Sequence, residues 1–425
     1  MSVEWLIIGG GIHGVHIAAR LVGEAGIDIE AIRIIDPAKR LLARWRACTS
    51  TTGMTHLRSP SVHHLDLCPW SLQRFADRRG RSPEMFQSSV ERPAITLFNE
   101  HCDHVVDSFQ LARAHVRARA EACSVDVDEV EVHLTTGGSL TGRNVVLAMG
   151  ASEQPQWPPW APRGETRVQH VFALGLDGWP AGMETVVVVG GGISGAQIAL
   201  RLAGEGHRVH LVSRHRLREH RYDWEPGWLG PRLMDGFRVV RDVGRRRVLI
   251  DEGRHPGSVP PYIRTALAEA IAAGAVQWHE SDVDALDRGG DSITLRLTTG
   301  GSVRAHRVLL ATGFTSKRPG GALVDRLAAT YGLPFARCGY PVVDTRLRWH
   351  PRVYVSGALA ELELGPTARN IAGARRTAER LVAAVREGED IAAYHQNLPE
   401  LPHASRGPIS SSFIQCSTIC PPATR

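Results

Sequence analysis

A glycine-rich segment of thirteen residues occurs twice in this chain. Residues 9–21 read GGGIHGVHIAARL and residues 190–202 read GGGISGAQIALRL, with nine identical positions. An apolar, β-branched run precedes each copy, and apolar residues at helical spacing continue through each of them. A second apolar run follows at residues 32–36 and at residues 209–213. Each copy is therefore predicted to form a strand–turn–helix–strand unit, which favours an α/β protein with parallel strands.

A second repeat closes each unit. Residues 135–150 read TTGGSLTGRNVVLAMG and residues 298–313 read TTGGSVRAHRVLLATG, with nine of the sixteen positions identical. Thr-Thr-Gly-Gly predicts a hairpin turn, and the apolar residues after it predict a strand that ends at Gly150 or Gly313. The long offset between the copies indicates two related domains, because solenoid repeats are only about 20 to 50 residues long.

The order of the repeats predicts that one domain is inserted into the other. We expect the outer domain to resume near Val353 and to end with a helix over residues 368–385. The tail is rich in Pro and Ser and lacks periodicity, so it is expected to be loosely ordered. The predicted segments are residues 1–165 and 316–395 for the outer domain, 166–315 for the inserted domain and 396–425 for the C-terminal tail.

Composition excludes several other classes of protein. The 425 residues are 43% hydrophobic and 22% charged, which is typical of a globular protein. No apolar run approaches the roughly 20 residues that span a bilayer, and the N-terminus does not read as a signal peptide. The net charge of +6 is not concentrated in any block. We therefore expect a cytoplasmic protein with no membrane or nucleic-acid partner, and a homo-oligomer is left open.

The seven cysteines are scattered and form no C-x-x-C motif. This pattern predicts neither a disulfide framework nor a dithiol redox centre. Cys416 and Cys420 in the tail leave three alternatives, which are a weak pair, half of a metal site or simple reduced thiols. Reduced thiols are favoured, because a cytosol keeps cysteines reduced.

The first glycine segment carries a dinucleotide-binding pattern. Its first glycine permits a tight turn, its second lets backbone approach a pyrophosphate, and its third lets helix and strand pack closely. The pyrophosphate would rest on the helix N-terminus, where free N–H groups favour negative charge. Asp36 ends the next predicted strand and is placed to accept hydrogen bonds from adenosine ribose hydroxyls. The candidate residues around the turn are Gly9, Gly11, Ile12, His13 and Gly14.

The second glycine segment has the same pattern but a different residue at the end of its second strand. Ser213 and Arg214 stand where the first unit has its acid. A carboxylate there would repel a 2′-phosphate, whereas a hydroxyl and a guanidinium bind it, so NADPH is predicted rather than NADH. The alternative is that Arg214 is only a solvated arginine beside a loop. The candidate residues around this turn are Gly190, Gly192, Ser194 and Gly195.

Two dinucleotide sites in one chain indicate a relay of reducing equivalents. Flavin is the cofactor that accepts a hydride from one reactant and then reacts with a second one. We therefore predict two Rossmann-like dinucleotide-binding domains, with FAD in the outer domain and NADPH in the inserted one.

Further segments make a family resemblance specific. Residues 310–314 read LATGF, residues 44–45 read Arg-Trp, and residues 54–60 read MTHLRSP. Together with the paired glycine segments and the inserted domain, they resemble the flavin-dependent monooxygenases, which include the flavin-containing monooxygenases and the ornithine and lysine N-hydroxylases. The first segment is similar to their ATG-aromatic motif, the second to their flavin loop and the third to the stretch beside the flavin ring.

The resemblance implies further cofactor-binding residues. Gly357 and Ala358 stand before an apolar turn and a helix, which is similar to the segment that closes the FAD site in this family. The residues that the resemblance adds to the predicted cofactor contacts are Arg44, Trp45, Met54, Thr312, Gly313, Gly357 and Ala358, with Gly150 at the end of the first closing strand.

The resemblance also implies an activity. NADPH would reduce FAD, and a C4a-(hydro)peroxyflavin formed with O2 would deliver one oxygen atom to a heteroatom of a small molecule, with an amine nitrogen favoured. The first alternative is an NADPH-dependent flavoprotein reductase that passes electrons to a protein or quinone. The second alternative is a redox-sensing protein that holds FAD without turnover. The missing C-x-x-C motif argues against a disulfide reductase.

Candidate catalytic residues lie in the segment that resembles the stretch beside the flavin. His56 is a candidate for proton transfer, because the unperturbed pKa of histidine lies near neutrality. Arg58 is a candidate to contact the nicotinamide cofactor or the peroxide. Ser59, His63 and His64 follow. The alternative is that these residues only hold the loop through hydrogen bonds to backbone, and no metal site is predicted.

The tryptophans leave two interpretations open. They either form an aromatic cage for a cationic substrate or cap the edges of the cores, and the second is favoured. The tryptophans in connectors or inserted loops are Trp157, Trp160, Trp179, Trp224 and Trp228.

Overall fold

Both glycine segments lie between a parallel strand and a helix in the computed structural model of the chain. The structure describes residues 2–81, 86–87, 92–173 and 179–388. The predicted tail over residues 396–425, with Cys416 and Cys420, lies outside the described residues. None of the described helices has the length and apolar character needed to span a bilayer.

The first part of the chain contains the first glycine segment. Its strands are β1 (Val3–Ile8), β2 (Ile32–Ile35), β3 (Phe86–Gln87), β4 (Arg92–Pro93), β5 (His115–Val116), β6 (Ala120–Val125), β7 (Val130–Leu134) and β8 (Ser139–Leu147). Its helices are α1 (Ile12–Gly23), α2 (Ala43–Thr52), α3 (Ser71–Arg78) and α4 (Ile95–Ser108).

The middle of the chain contains the second glycine segment. Its strands are β9 (Val168–His170), β10 (Thr185–Val189), β11 (Arg208–Ser213), β12 (Arg218–Glu219), β13 (Ser258–Val259), β14 (Val276–Glu280), β15 (Val283–Gly289), β16 (Ser292–Leu297), β17 (Ser302–Ala305) and β18 (Arg307–Leu310). Its helices are α5 (Ile193–Gly204), α6 (Pro231–Arg238), α7 (Val243–Glu252) and α8 (Pro261–Ala272).

The last part of the chain returns to the first sheet. Its elements are α9 (Gly321–Tyr331), β19 (Arg348–His350), β20 (Val353–Val355), α10 (Glu361–Leu364) and α11 (Ile371–Glu387).

The two sheets confirm the predicted insertion. The first sheet has the order β19-β20-β8-β1-β2-β5, with β6 and β7 attached through β8. The second sheet has the order β14-β11-β10-β18-β9 and is parallel throughout. We call residues 168–310 the inner unit and the described residues on either side of it the outer unit. Because β20 pairs with β8 after the whole inner unit has passed, the inner unit is inserted into the outer one.

The local predictions of turns and helices also hold. The Thr-Thr-Gly-Gly segments join β7 to β8 and β16 to β17 as antiparallel connections. The helix predicted over residues 368–385 begins later, at Ile371, because the backbone of Asn370 is extended. The amide nitrogens of Ala368 and Asn370 instead donate to the carbonyls of Gly365 and Thr367 in two turns before the helix.

Each sheet is covered on both faces by apolar residues, as its continuous β-branched strands predict. Ile7 and Ile34 face the core under α1 and α11, whereas Leu6 and Ile35 face the core on the opposite side of the first sheet. The inner unit has the same arrangement around its own sheet.

A fifth core joins the two units. Trp224, Trp228 and Phe237 of the inner unit pack with Tyr340 and Leu362 of the outer unit. The segment that carries α6 and α7 therefore leaves the inner sheet and docks on the outer unit. The five tryptophans singled out above are distributed over three different cores, so they do not form one cage.

Candidate functional site

The first glycine turn lies between β1 and α1. Gly9 has φ +116°, a left-handed conformation that favours glycine. A side-chain carbon on Gly14 would overlap the carbonyl oxygen of Gly9, whereas one on Gly11 would meet no described atom within 4 Å. The turn is therefore closed on its protein side and open where a pyrophosphate would approach.

Asp36 lies directly beside this turn. Its Oδ2 accepts a hydrogen bond from the Gly10 amide at 2.7 Å, and its Oδ1 accepts one from the Ala38 amide at 2.9 Å. Each carboxylate oxygen has a further lone pair, so both can still accept a ligand hydroxyl. The position therefore suits an adenosine ribose.

The second glycine turn repeats this backbone. Gly190 has φ +141°, and a side-chain carbon on Gly195 would overlap the carbonyl oxygen of Gly190. Ser213 occupies the place of Asp36, with its Cβ 2.7 Å from where a side-chain carbon of Gly191 would be. Its hydroxyl donates to the His215 carbonyl at 3.0 Å and accepts from Trp278 Nε1 at 2.9 Å.

Arg214 and Ser194 complete the predicted residues of the second turn. The Arg214 side chain is exposed and makes no hydrogen bond or ion pair with the residues described. Its guanidinium is therefore available to an anionic ligand at the end of β11. Ser194 lies in the first turn of α5, at the helix end that faces such a ligand.

The segment that follows β20 closes over the first turn. His13 Nδ1 lies 2.8 Å from Ser356 Oγ, and a side-chain carbon on Gly357 would lie 3.5 Å from the His13 ring. Burial lowers the pKa of His13 to about 4, so the ring is neutral at pH 7. Asn370 Nδ2 is buried and makes no hydrogen bond within the described part of the chain, and the backbone of Arg369 and Asn370 lies beside the His13 ring.

Polar atoms that are buried without partners are unusual in a folded protein, and a bound ligand is one explanation of them. Ala358, which follows Gly357, is buried, and Ile12 is the first residue of α1. Ser356 and Asn370 were missed by the sequence analysis, because they follow no motif and come to His13 through tertiary packing.

Arg44, Trp45 and Met54 contact protein around helix α2. Arg44 donates hydrogen bonds to the carbonyls of Ser152, at 2.7 Å, and of Phe172. Trp45 Nε1 donates to Asn99 Oδ1 at 3.2 Å. Trp45 and Met54 also pack against the core under α1. These residues fix α2 and tie it to the connector that leads into the inner unit.

The closing motif of the inner unit binds the same connector. The Thr312 hydroxyl donates to the Gln156 carbonyl, and the Gln156 amide donates to the Gly313 carbonyl at 2.9 Å. Gly150, which is exposed, begins this connector after β8. Phe314 stacks on Phe172 with ring centroids 5.0 Å apart. The motif therefore joins the two units.

His56 and Arg58 lie in an extended segment between the units. His56 pairs with Ala94 as an isolated bridge, and its Nδ1 lies 3.2 Å from Thr55 Oγ1. Burial, with a smaller contribution from Arg92, lowers the pKa of His56. Arg58 donates to the carbonyls of Arg221 at 3.0 Å and His220 at 2.6 Å, and to Ser258 Oγ at 2.9 Å. Its guanidinium is thus bound to the inner unit.

The histidines after this segment face the protein interior. His64 Nε2 donates to the Pro69 carbonyl at 3.0 Å, and its Nδ1 accepts from the Asp66 amide at 3.1 Å. Burial lowers the pKa of both His63 and His64 to about 4. The described residues contain no group of three or more side chains suited to hold a metal ion.

A buried network of ion pairs surrounds α10, the short helix that follows Gly357 and Ala358. Glu363 pairs with Arg246 at 2.5 Å and with Arg380 at 2.9 Å, and Glu361 pairs with Arg247 at 2.5 Å. Burial opposes ionisation of Glu361, yet its arginine partners, Arg369 foremost, hold its pKa below the usual range. No sequence motif predicts this network, because its arginines come mainly from two other elements, α7 and α11.

Comparison with protein families gives two matches. A family model described as pyridine nucleotide-disulphide oxidoreductase matches residues 6–248. A model described as FAD binding domain matches residues 185–348. No curated protein matches the chain in sequence.

Comparison with solved structures gives similar folds. Ornithine hydroxylase from Pseudomonas aeruginosa has a TM-score of 0.72 at 16% identity, over 91% of this chain and 99% of that one. The ornithine N-hydroxylase from Kutzneria sp. 744 has a TM-score of 0.73 at 15% identity, with the same coverage of 91% and 99%. Bacillithiol disulfide reductase from Bacillus cereus has a TM-score of 0.61 at 18% identity, also over 91% and 99%. At these identities the likeness shows the fold.

Proposed function

The chain belongs to the pyridine nucleotide-disulphide oxidoreductase family, and we propose that within it the chain is an FAD- and NADPH-dependent monooxygenase. The proposed reaction hydroxylates a heteroatom, namely an amine nitrogen of an amino-acid-like small molecule, with O2. Structural likeness to two ornithine hydroxylases supports this choice.

The observation that carries the proposal is the chemical difference between two geometrically equivalent turns. Asp36 beside the first turn suits a ribose with free hydroxyls, whereas the second turn has no carboxylate at this position and has the exposed Arg214, which suits a 2′-phosphate. The Ser213 hydroxyl already donates its proton to the His215 carbonyl, so the phosphate contact is assigned to Arg214. One chain thus has a place for each of two different dinucleotides, as a transfer of reducing equivalents between them requires.

We assign FAD to the outer unit although the FAD binding domain model matches residues 185–348. Both turns share the fold that such a model describes, so the match does not distinguish them. The outer unit has the acidic residue and the unpaired buried Nδ2 of Asn370, which can donate a hydrogen bond to a polar cofactor ring system. Bound FAD would accept a hydride from NADPH and activate O2.

The chain's own residues would position these groups. The amides at the beginning of α1 and α5 would bind the two pyrophosphates. His56, whose lowered pKa keeps it neutral at pH 7, is the proposed proton carrier between the units. Packing of the inner unit against the outer one would exclude water from the reacting atoms.

The second candidate function is a flavoprotein reductase. Likeness to a bacillithiol disulfide reductase favours it. The sequence contains no C-x-x-C motif, and the cysteines in the described ranges are all unpaired. A reductase would therefore need to pass electrons to an acceptor outside this chain.

Reduction and reoxidation of the purified protein test the proposal. The protein loaded with FAD is reduced with NADPH without oxygen and is then exposed to ¹⁸O₂ with a panel of amines and amino acids. Label in a hydroxylated product, with little hydrogen peroxide per NADPH, is the expected result. Electron transfer to quinones without labelled product would favour the reductase, and failure of NADPH to bleach the flavin would contradict both.

A further inference from the structure

The two glycine turns differ in how open they are. The side-chain direction of the second glycine in such a turn is the direction from which a pyrophosphate approaches. At Gly11 that direction is open, with no described atom within 4 Å of a side-chain carbon. At Gly192 the Cα of Gly257 lies 3.2 Å from the same position. The second turn is therefore covered by protein where the first is not.

The cover is the loop over residues 253–258, which we call the covering loop. The His255 amide donates to the Asp223 carbonyl at 2.9 Å, and the His255 ring stacks on the His220 ring with centroids 3.8 Å apart. The loop ends in β13, which pairs with β12. It is thus anchored to residues 218–223 by a hydrogen bond, a ring stack and a strand pair, and we call the two segments together the anchored piece.

The outer unit holds this piece in place through Arg58. Its Nε and one terminal nitrogen donate to carbonyls just after β12, and the same terminal nitrogen donates to Ser258 Oγ in β13. One guanidinium therefore binds both anchored segments. The Arg92 guanidinium, also from the outer unit, lies 3.7 Å from the ring centroid of Tyr262, just beyond the covering loop.

We propose that Arg58 is a positioning residue that keeps the covering loop over the second glycine turn, and that NADPH binds there only when this loop moves away. The inference rests on the proposed function, in that it takes the second turn as the NADPH site. A pyrophosphate cannot occupy the space that Gly257 fills, so the covered form does not bind the coenzyme. The apparent Kd is then the intrinsic Kd divided by the uncovered fraction.

This role has the opposite consequence to a direct contact with the coenzyme. If Arg58 bound NADPH, its removal would weaken binding. If Arg58 holds the cover, its removal increases the uncovered fraction, so binding becomes tighter and association faster. The sign of the change in Kd therefore distinguishes the two roles.

The test compares Arg58→Ala with Arg201→Ala. Arg201 also joins the units, through hydrogen bonds to the carbonyls of Ser50 and Thr51, but it is not bonded to the covering loop. NADP⁺ is titrated into each FAD-loaded protein by calorimetry, and its association rate is measured by stopped flow. We expect Arg58→Ala to lower the Kd of NADP⁺ by about threefold or more, and Arg201→Ala to leave it within about twofold.

Weaker binding by Arg58→Ala, or a change equal to that of Arg201→Ala, would overturn the inference. If Arg58→Ala does not fold, Ser258→Ala removes one of the same hydrogen bonds and should shift the Kd in the same direction. Hydrogen exchange of residues 253–258 should also rise in either variant. Since NADP⁺ binding needs no turnover, these outcomes are separate from the monooxygenase test, and only an unmodified protein that binds no NADP⁺ would end both proposals.

Discussion

At the scale of single residues, the chemistry of the two turns depends on one side chain at the end of each second strand. Asp36 and Ser213 occupy equivalent backbone positions, Asp36 against Gly10 of the first turn and Ser213 against Gly191 of the second. This difference could be predicted from the sequence, because the repeat aligns the two positions. The hydrogen-bond partners of Arg58 could not be predicted, because they lie more than 160 residues away in the chain and only tertiary packing brings them together.

Arg214 should determine the preference for NADPH over NADH. Arg214→Ala removes a charge-assisted contact to the 2′-phosphate, worth about 1.5 to 3 kcal/mol, so the Kd of NADPH should rise about tenfold or more. The Kd of NADH should hardly change. Arg216→Ala is the control, because Arg216 is exposed and already lies 3.6 Å from Glu280. Equal loss for both coenzymes in Arg214→Ala would contradict the phosphate contact.

The third glycine of each turn gives a matched pair of variants. An added methyl on Gly14 or Gly195 overlaps the carbonyl oxygen of Gly9 or Gly190, so each should disable its own turn. We expect Gly14→Ala to lose FAD, and Gly195→Ala to keep FAD but lose NADPH binding. Flavin absorbance and NADP⁺ titration measure both. Gly236→Ala in α6 is the control, because no described atom lies within 4 Å of its side-chain position. Loss of FAD in both turn variants would contradict the prediction that the two coenzymes bind at separate turns.

At the scale of elements, the periodic strands and helices could be predicted, whereas the short helix α10 could not. Ile12–Gly23 and Ile193–Gly204 follow the apolar spacing of their segments. Helix α10 has only four residues, which is too few to show a period. Its buried Glu361 and Glu363 are neutralised by arginines from other elements, so the sequence gives no local sign of their burial.

Glu363 should contribute strongly to the docking of α7 on the outer unit. Glu363→Gln keeps the shape but leaves the buried Arg246 without its carboxylate, which should cost about 3 to 5 kcal/mol in the free energy of unfolding. Urea unfolding followed by circular dichroism measures this change. Glu379→Gln removes a half-exposed carboxylate 3.9 Å from Arg20 and should cost less than about 1 kcal/mol. A similar small change in both variants would show that the buried pair does not stabilise the fold.

At the scale of the whole molecule, the insertion of one dinucleotide unit into another could be predicted from the order of the repeats. The docking of α6 and α7 on the outer unit could not be predicted. Those helices have no repeat partner, and their apolar residues alone do not indicate the unit on which they pack. The covering loop follows α7 directly, so the same docking brings it over the second turn.

Six histidines that protein atoms largely enclose should make the stability of the whole molecule sensitive to mild acid: His13, His16, His63, His64, His101 and His170. Burial lowers their pKa values, to about 3 for His101 and about 4 for His13 and His170, from about 6.5 when unfolded. The unfolded chain therefore binds more protons between these values, and stability falls as the pH drops below about 6.5. The urea midpoint should decrease from pH 7.5 to pH 5. His101→Phe should reduce this decrease, and His133→Gln, at an exposed position, should not. A urea midpoint that stays constant from pH 7.5 to pH 5 would contradict the prediction that these histidines are neutral in the folded protein.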